Sequence, residues 1–411
     1  MSRRRGAGGG ANPMIGERNG RAGRRGARAV ILTGDAHDHP GGLSMRWRAL
    51  QTALDRHLPC RLQQLGCDRW DRCRAGCRLT GRPGGTAEVA MLDDVQVWHA
   101  DRTYCPEYVR RLAGELVAAR VTTVVCSGLD THRYVTALAA LGWFTVVFDL
   151  HNVEAQLHEA IHAALPPGSP MAGFYTQRHV RLVDTAERTA VRSADAVWVC
   201  SDEDRAEVIR RYAVAADTVR VVPNVVEVTG AVPPPADVRS VCFTGRMDWY
   251  PNIEAGLALL LQIAPLLRKR GHQLPVVVAG AMAREMLGDV ELAPGVELIS
   301  DPPSPAALIA GSIMAVPLKL GGGSRFKILE AFASGAPTIS TAKGAEGLGA
   351  VPGEHYLAAE EPEEFVDAVD RLVGDPALRT QLTRAAWTLL TERYSLDALT
   401  ARLADLAVPA R

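Results

Sequence analysis

The chain has 411 residues, with 46 Lys and Arg balanced by 46 Asp and Glu and 47% apolar side chains. That length exceeds one ordinary hydrophobic core and sets two or three domains as the expectation. The formal net charge of zero excludes a global field drawing the chain to nucleic acid or an anionic membrane, and no apolar run reaches the length needed to span a bilayer.

The Arg/Gly-rich opening, 1–28, has no apolar segment, so it reads as a disordered basic tail or as sequence upstream of the true start, not as a secretory signal. Residues 29–33 form the first strand-like run. They open into Gly34-Asp35-Ala36-His37-Asp38-His39-Pro40-Gly41-Gly42 and then a helical pattern over 44–57. Asp35, His37 and His39 suit either a metal cluster or an ordinary polar loop. Strands follow at 121–126, 144–150, 196–200 and 219–222, alternating with helices at 131–141 and 173–193, the pattern of a doubly wound α/β sheet. Ser201-Asp202-Glu203-Asp204 contains Asp-x-Asp, but Ser201 with an acid three residues on reads better as a helix N-cap. The segment Val232-Pro233-Pro234-Pro235 is a stiff linker. A second alternating series begins at 241–244, with a helix to about 269, strands at 275–279, 296–299 and 313–317, and another at 338–340. Helices fill the end, the last amphipathic over 396–406.

Eight cysteines are present. Cys126, Cys200 and Cys242 lie within or at the end of apolar runs, where cysteine behaves as a small hydrophobe. Cys60, Cys67, Cys73 and Cys77 cluster, with Cys105 further on, but they lack paired C-x2-C spacing, so no metal site is expected. A reduced cytoplasmic protein is the default.

The richest stretch is Gly321-Gly322-Gly323-Ser324-Arg325-Phe326-Lys327-Ile328-Leu329-Glu330. An apolar strand precedes it, and Ile328, Leu329 and Phe332 recur at helical spacing until Gly335, a C-cap. The glycines therefore lie on a strand-to-helix turn, where backbone N–H groups approach a ligand and the helix start adds positive potential. Lys327 and Glu330, three apart, share a helix face. This arrangement suits a diphosphate beside a ribose; the competing reading is a glycine-loosened loop followed by a surface Lys–Glu pair. Loops at strand carboxyl ends of two such domains should face one another across a ligand cleft.

Several motifs together resemble glycosyltransferase family 4. Phe243-Thr244-Gly245-Arg246-Met247-Asp248-Trp249-Tyr250-Pro251-Asn252 resembles that family's phosphate-binding turn, Gly322 to Glu330 its Glu-x7-Glu motif, and Ser334-Gly335-Ala336-Pro337-Thr338 the turn and strand that follow. Val222-Pro223-Asn224 and Asp149-Leu150-His151-Asn152-Val153-Glu154 are similar to its markers in the first half. The first Glu of the pair falls at Gly322, and Pro251 and Asn252 occupy a stretch that commonly carries a basic residue. A branch with a Met-x-Trp-x-Pro-Asn turn looks similar in both respects.

The resemblance implies an α/β GT-B fold of two Rossmann-like doubly wound domains. An acceptor-binding domain would cover 29–230 and a nucleotide-sugar-binding domain 231–390, with a final helix over 391–411 returning to the first. It implies a retaining, metal-independent glycosyltransferase that takes a nucleotide-diphosphate sugar as co-substrate, needs no cofactor, and acts on a small-molecule, lipid or glycan hydroxyl. Nucleic acid is not an expected partner; peripheral membrane contact is left open. Arg246 and Lys327 would stabilise the leaving diphosphate, with Arg325 in reserve, and His151 would touch the donor sugar or its developing charge. Glu330 would accept from the ribose hydroxyls. Gly41, Gly42, Asn224, Gly245, Gly322, Gly323 and Ser324 complete the expected substrate-binding set, and Asp149 would orient His151 or cap its turn. Trp249 and Tyr250 would line the base pocket or pack the turn, while Lys343 and Glu346 read equally as turn residues. The competing functions are a sugar-nucleotide epimerase or hydrolase of the same fold, and an inert partner subunit.

Overall fold

The computed structural model describes residues 26–34, 41–66, 104–228, 230–232, 237–323 and 325–404. The basic opening up to residue 25, the Asp35/His37/His39 group, Cys67, Cys73, Cys77, Pro233–Pro235 and Ser324 lie outside the described residues.

Two parallel six-stranded sheets organise the chain. The first comprises β1 (Arg28–Thr33), β2 (Cys60–Gln64), β3 (Val121–Ser127), β4 (Thr145–Asp149), β5 (Ala196–Val199) and β6 (Val219–Val221), in the order β2-β1-β3-β4-β5-β6. The second comprises β7 (Ser240–Thr244), β8 (Val276–Gly280), β9 (Val296–Ser300), β10 (Ser312–Val316), β11 (Thr338–Ser340) and β12 (Leu357–Ala358), in the order β12-β11-β10-β7-β8-β9. The central strands are continuous Val/Ile/Leu runs because helices cover both faces: Val30, Ile31 and Leu32, like Ile313, Met314 and Val316, are fully buried. Each sheet reverses its winding at one point, between β1 and β3 in the first and between β7 and β10 in the second. The carboxyl ends of strands at such points form a crevice.

Register decides which polar side chains meet there. Thr33 pairs with Ser127 across β1 and β3, and Ser127 with Asp149 across β3 and β4, so Ser127 and Asp149 end adjacent strands side by side. The last described helix, Leu396–Ala404, packs on the first sheet: Leu399 and Leu403 share a core with Ile31, Leu50, Leu54, Val125 and Trp198.

Several elements escaped the sequence reading. β2 is a polar edge strand with no buried residue, so it carries no alternation. The helices Pro106–Ala118 and Glu154–Ala164 were missed although Tyr108, Leu112 and Leu116, and Leu157 and Ile161, recur at helical spacing, and β12 is two residues long. The helix expected from 173 starts at Gln177, where Thr176 accepts from His179 N–H at 3.1 Å. The capping reading of Asp-x-Asp agrees with the geometry, since Ser201 Oγ accepts from Asp204 N–H at 3.0 Å. One helix among the described residues, Tyr250–Lys269, is long and apolar enough to cross a membrane, at a mean hydropathy of 1.2. Its Ala255, Leu259, Leu260, Ile263, Ala264 and Leu267 are buried in the second core, which explains that composition without a bilayer.

Candidate functional site

A cleft of about 720 Å³ lies between the two sheets. The first sheet contributes Gly41, Gly42, Arg46, His151, Asn152 and Asn224. The second contributes Gly245, Arg246, Gly321, Gly322, Arg325, Lys327 and Glu330, with Gly280 and Asp301 at the ends of β8 and β9. Of the expected site residues, Gly323 is buried behind this lining.

The glycine turn after β10 is pressed against the first sheet. Gly323 has φ 64°, and a Cβ there would sit 2.3 Å from the carbonyl oxygen of His151, so no other residue fits. A Cβ at Gly322 would meet Asn152 Cβ and Oδ1 at 3.1 Å. Gly42 lies under the Phe326 ring, where a Cβ would stand 2.8 Å from Cδ2. These glycines do more than free the backbone for a ligand: they let the two halves touch. The helix Phe326–Ala333 begins at this contact.

Lys327 and Glu330 both face the cleft from that helix. Lys327 Nζ donates to Asn252 Oδ1 at 2.5 Å and stands 4.6 Å above the Phe243 ring. Burial, reinforced by nearby Arg325 and opposed by Glu330, pushes the ammonium down to about 7. Burial raises the Glu330 carboxyl to about 6 against the pull of Lys327. The Glu330 carboxylate has no hydrogen-bond partner among the described residues. Asn252 also donates from Nδ2 to the Arg246 carbonyl at 2.8 Å, tying the turn after β7 to Lys327. Arg246 is about one-third exposed, and its guanidinium is paired with Asp248 through Nε at 3.1 Å and through Nη2.

The first wall is built on a buried ion pair. Arg46 and Asp149 are 2% and 0% exposed. Arg46 Nε donates to both carboxylate oxygens at 3.1 and 3.2 Å, and Nη2 closes the fork. Arg46 Nη1 also donates to the Val222 carbonyl at 3.0 Å and to Asn224 Oδ1 at 2.9 Å. Burial alone would raise the Asp149 carboxyl, but the Arg46 charge, helped by the hydrogen bond from His151, holds it below the usual carboxylate range. Asp149 is thus first the counter-ion of Arg46 and only second a neighbour of His151, whose Nε2 lies 3.4 Å from Oδ2. Asn224 serves this same framework from a buried position.

The reserve role expected of Arg325 needs correction. Arg325 does not reach out as a reserve phosphate ligand: it is 7% exposed and donates to the carbonyls of Gly322 and, at 3.1 Å, Lys343, with Glu346 at 3.6 Å. It braces the glycine turn from behind, because a long side chain folded under a turn can satisfy carbonyls that no helix serves. Lys343 and Glu346 pair with each other at 2.5 Å. Trp249 and Tyr250 pack with Leu157, Ile161, Met171 and Tyr175 of the first half, and Trp249 also borders the cleft. Cys126 and Cys242 are buried thiols within strands and Cys200 is a buried thiol just after β5, as expected. No group of three or more His, Cys, Asp or Glu suited to a metal occurs among the described residues. Arg46 and Ser127 escaped the sequence reading, and Asn252 entered it only as part of the turn motif, without its link to Lys327. An arginine on the apolar face of the helix Gly42–Asp55, beside Trp47, Leu50 and Leu54, was the available signal for the first of them.

Residues 238–375 match the family model for glycosyl transferases group 1, which covers the second sheet and the helices around it. No curated protein matches the chain in a sequence search. Among solved structures, Alr3699/HepE from Anabaena in complex with UDP aligns over 92% of this chain and 98% of its own, at 13% identity and a TM-score of 0.58. Sucrose-phosphate synthase from Thermosynechococcus elongatus aligns over the same shares at 16% identity and a TM-score of 0.65. An E. coli protein described as trehalose-6-phosphate bound with UDP-2-fluoro glucose aligns over 93% of this chain and 99% of its own, at 12% identity and a TM-score of 0.61. At these identities the likeness is one of fold. The chain has the two-domain Rossmann-like α/β architecture of these proteins, with the glycosyl transferases group 1 pattern on its second sheet.

Proposed function

We propose that this protein transfers a sugar from a nucleotide-diphosphate donor to a hydroxyl acceptor, with retention of configuration and without a metal. The observation that carries this reading is the convergence of Arg246, Lys327 and Glu330 with the glycine turn on one wall of the cleft, opposite His151 on the other. Structural neighbours crystallised with UDP, with UDP and glucose, and with UDP-glucose support a nucleotide-sugar donor. So does the group 1 match over 238–375.

In this reading the diphosphate lies over Gly321 and Gly322, between Arg246 and the helix start. Binding requires Arg246 to leave Asp248 for phosphate, an exchange of one anionic partner for another on a partly exposed side chain. Lys327 gains its full charge as the diphosphate arrives, and Glu330, ionised, accepts from the ribose. The strand order β10-β7-β8-β9 offers a span that suits such a donor. Three strand spacings of about 4.8 Å separate the turn after β10 from Asp301 after β9, enough to run from phosphate to base. His151 stands across the cleft beside the sugar. The leaving phosphate, rather than a protein nucleophile, then takes the acceptor proton. The acceptor is a polysaccharide, glycolipid or specialised metabolite handled in the cytoplasm.

The test is a panel of nucleotide sugars and hydroxyl acceptors with purified protein, in EDTA, with the product's anomeric configuration read by NMR. Glu330→Ala should weaken nucleotide binding and Arg246→Ala should depress turnover. Full transfer activity in both folded variants would refute the assignment. Donor turnover without acceptor would mark an epimerase or hydrolase instead, and nucleotide binding with no turnover an inert partner subunit.

A further inference from the structure

Ser127 sits at the centre of a hydrogen-bond count that closes in only one way. Its Oγ lies 2.6 Å from Asp149 Oδ2, 2.8 Å from His151 Nε2 and 2.9 Å from Trp47 Nε1. Trp47 is donor-only, so one lone pair of Oγ is taken. Asp149, doubly held by Arg46, is ionised and acceptor-only, so the single hydroxyl proton must lie in the short contact to Oδ2. Only an acceptor lone pair of Ser127 remains for His151, and Nε2 must therefore carry a proton. A second observation agrees: Asp149 Oδ2 is 3.4 Å from Nε2, and a bare nitrogen lone pair there would face an anion. The reverse tautomer would leave an unprotonated 2.6 Å contact between hydroxyl and carboxylate oxygens.

We propose that Ser127 is a positioning residue that fixes His151 as its Nε2–H tautomer, leaving Nδ1 as the nitrogen open to a ligand or to a second proton. Nδ1 has no hydrogen-bond partner among the described residues, and His151 borders the cleft. Neutral His151 then accepts from a hydroxyl through Nδ1 and has nothing to donate to a phosphate oxygen. Ser127, which does not line the cleft, sets this preference at one remove, with Trp47 and the Arg46–Asp149 pair fixing the direction of its proton. The tautomer follows from the hydrogen-bond count and does not depend on the proposed reaction. Its consequence, a sugar hydroxyl rather than a phosphate beside His151, rests on that reading.

The experiment is imidazole 15N–1H correlation NMR on the full chain labelled at histidine nitrogen, at pH 9, with His151 assigned by its loss in His151→Gln. The expected result is a protonated Nε2 and a bare Nδ1. A protonated Nδ1 with bare Nε2, or a doubly protonated ring at that pH, would overturn the proposal. In Ser127→Ala, loss of one neutral hydrogen bond should move the tautomer ratio toward Nδ1–H by about fivefold. Ser127→Thr, which keeps the hydroxyl, should move it back. An unchanged ratio in folded Ser127→Ala would show that Asp149 alone orients the ring and would remove Ser127 from the role. A failure of sugar transfer with the Nε2–H tautomer intact would count against the proposed function and leave this assignment standing.

Discussion

Lys327 links the electrostatics of the cleft to a measurable pH dependence. The group is held at about 7 by burial and by Arg325, and a bound diphosphate would restore its ordinary preference for the charged form. Nucleotide therefore selects the protonated state, and apparent affinity scales with the fraction protonated in the free protein. That fraction is about one-half at pH 7 and about one-hundredth at pH 9. Affinity for a nucleoside diphosphate should thus fall about fiftyfold over that interval, equivalent to about 2.3 kcal/mol. Among the shifted groups that line the cleft the window isolates one. Glu154 and Glu187, pushed up by burial to about 8 and about 7, also titrate near it but do not line the cleft. Glu330, at about 6, is already ionised, and the terminal phosphate, with a second pKa of about 6, is already a dianion. Calorimetry of the donor's nucleoside diphosphate from pH 7 to 9 reads the effect directly. Repeating it at pH 8 in buffers of different ionisation enthalpy should show about 0.9 proton taken up per ligand. Lys327→Arg keeps a charge across the range and should flatten the profile. Affinity that stays constant from pH 7 to 9 in the wild type, with no proton uptake, would refute the reasoning.

Other consequences follow from the same geometry. Arg46→Met leaves Asp149 as an uncompensated buried charge and should cost about 3–5 kcal/mol in urea unfolding. Arg46→Met with Asp149→Leu should recover much of that loss. Gly323→Ala must absorb a left-handed backbone and a Cβ driven against the His151 carbonyl, whereas Gly353→Ala meets only the backbone term of about 1–2 kcal/mol. Nucleotide affinity should drop at least about tenfold in the first and stay unchanged in the second, because only the first parts the two walls. Leu403→Ala opens a cavity between the last helix and the first sheet and should cost about 2–5 kcal/mol by chemical denaturation. Nucleotide binding by the second sheet should survive it.

Much of the architecture was legible because parallel strands covered on both faces are written as short apolar runs. Val121–Ser127 and Ser312–Val316 need no partner to be recognised. The place of the glycine turn was legible for a similar reason: Gly321 to Gly323 fall between an apolar strand and the helix pattern of Ile328, Leu329 and Phe332, although that position alone did not separate a ligand-binding turn from a loosened loop. Where the signal was polar or short, as in β2 and β12, nothing local distinguished an element from a loop.

The site divides along the same line. That Lys327 and Glu330 share a face follows from helical spacing, and that Arg246 and His151 end strands follows from where apolar runs stop. These are properties of neighbouring residues, and local sequence determines them. Whether Arg325 reaches a ligand or folds back to Gly322 and Lys343 could not be read this way. Nor could the pairing of Arg46 with Asp149, 103 positions away, or the meeting of Ser127 with His151. Such contacts depend on strand register and on two sheets brought face to face. Direction of donation, charge state and burial are set by those distant partners, so only the tertiary structure decides them.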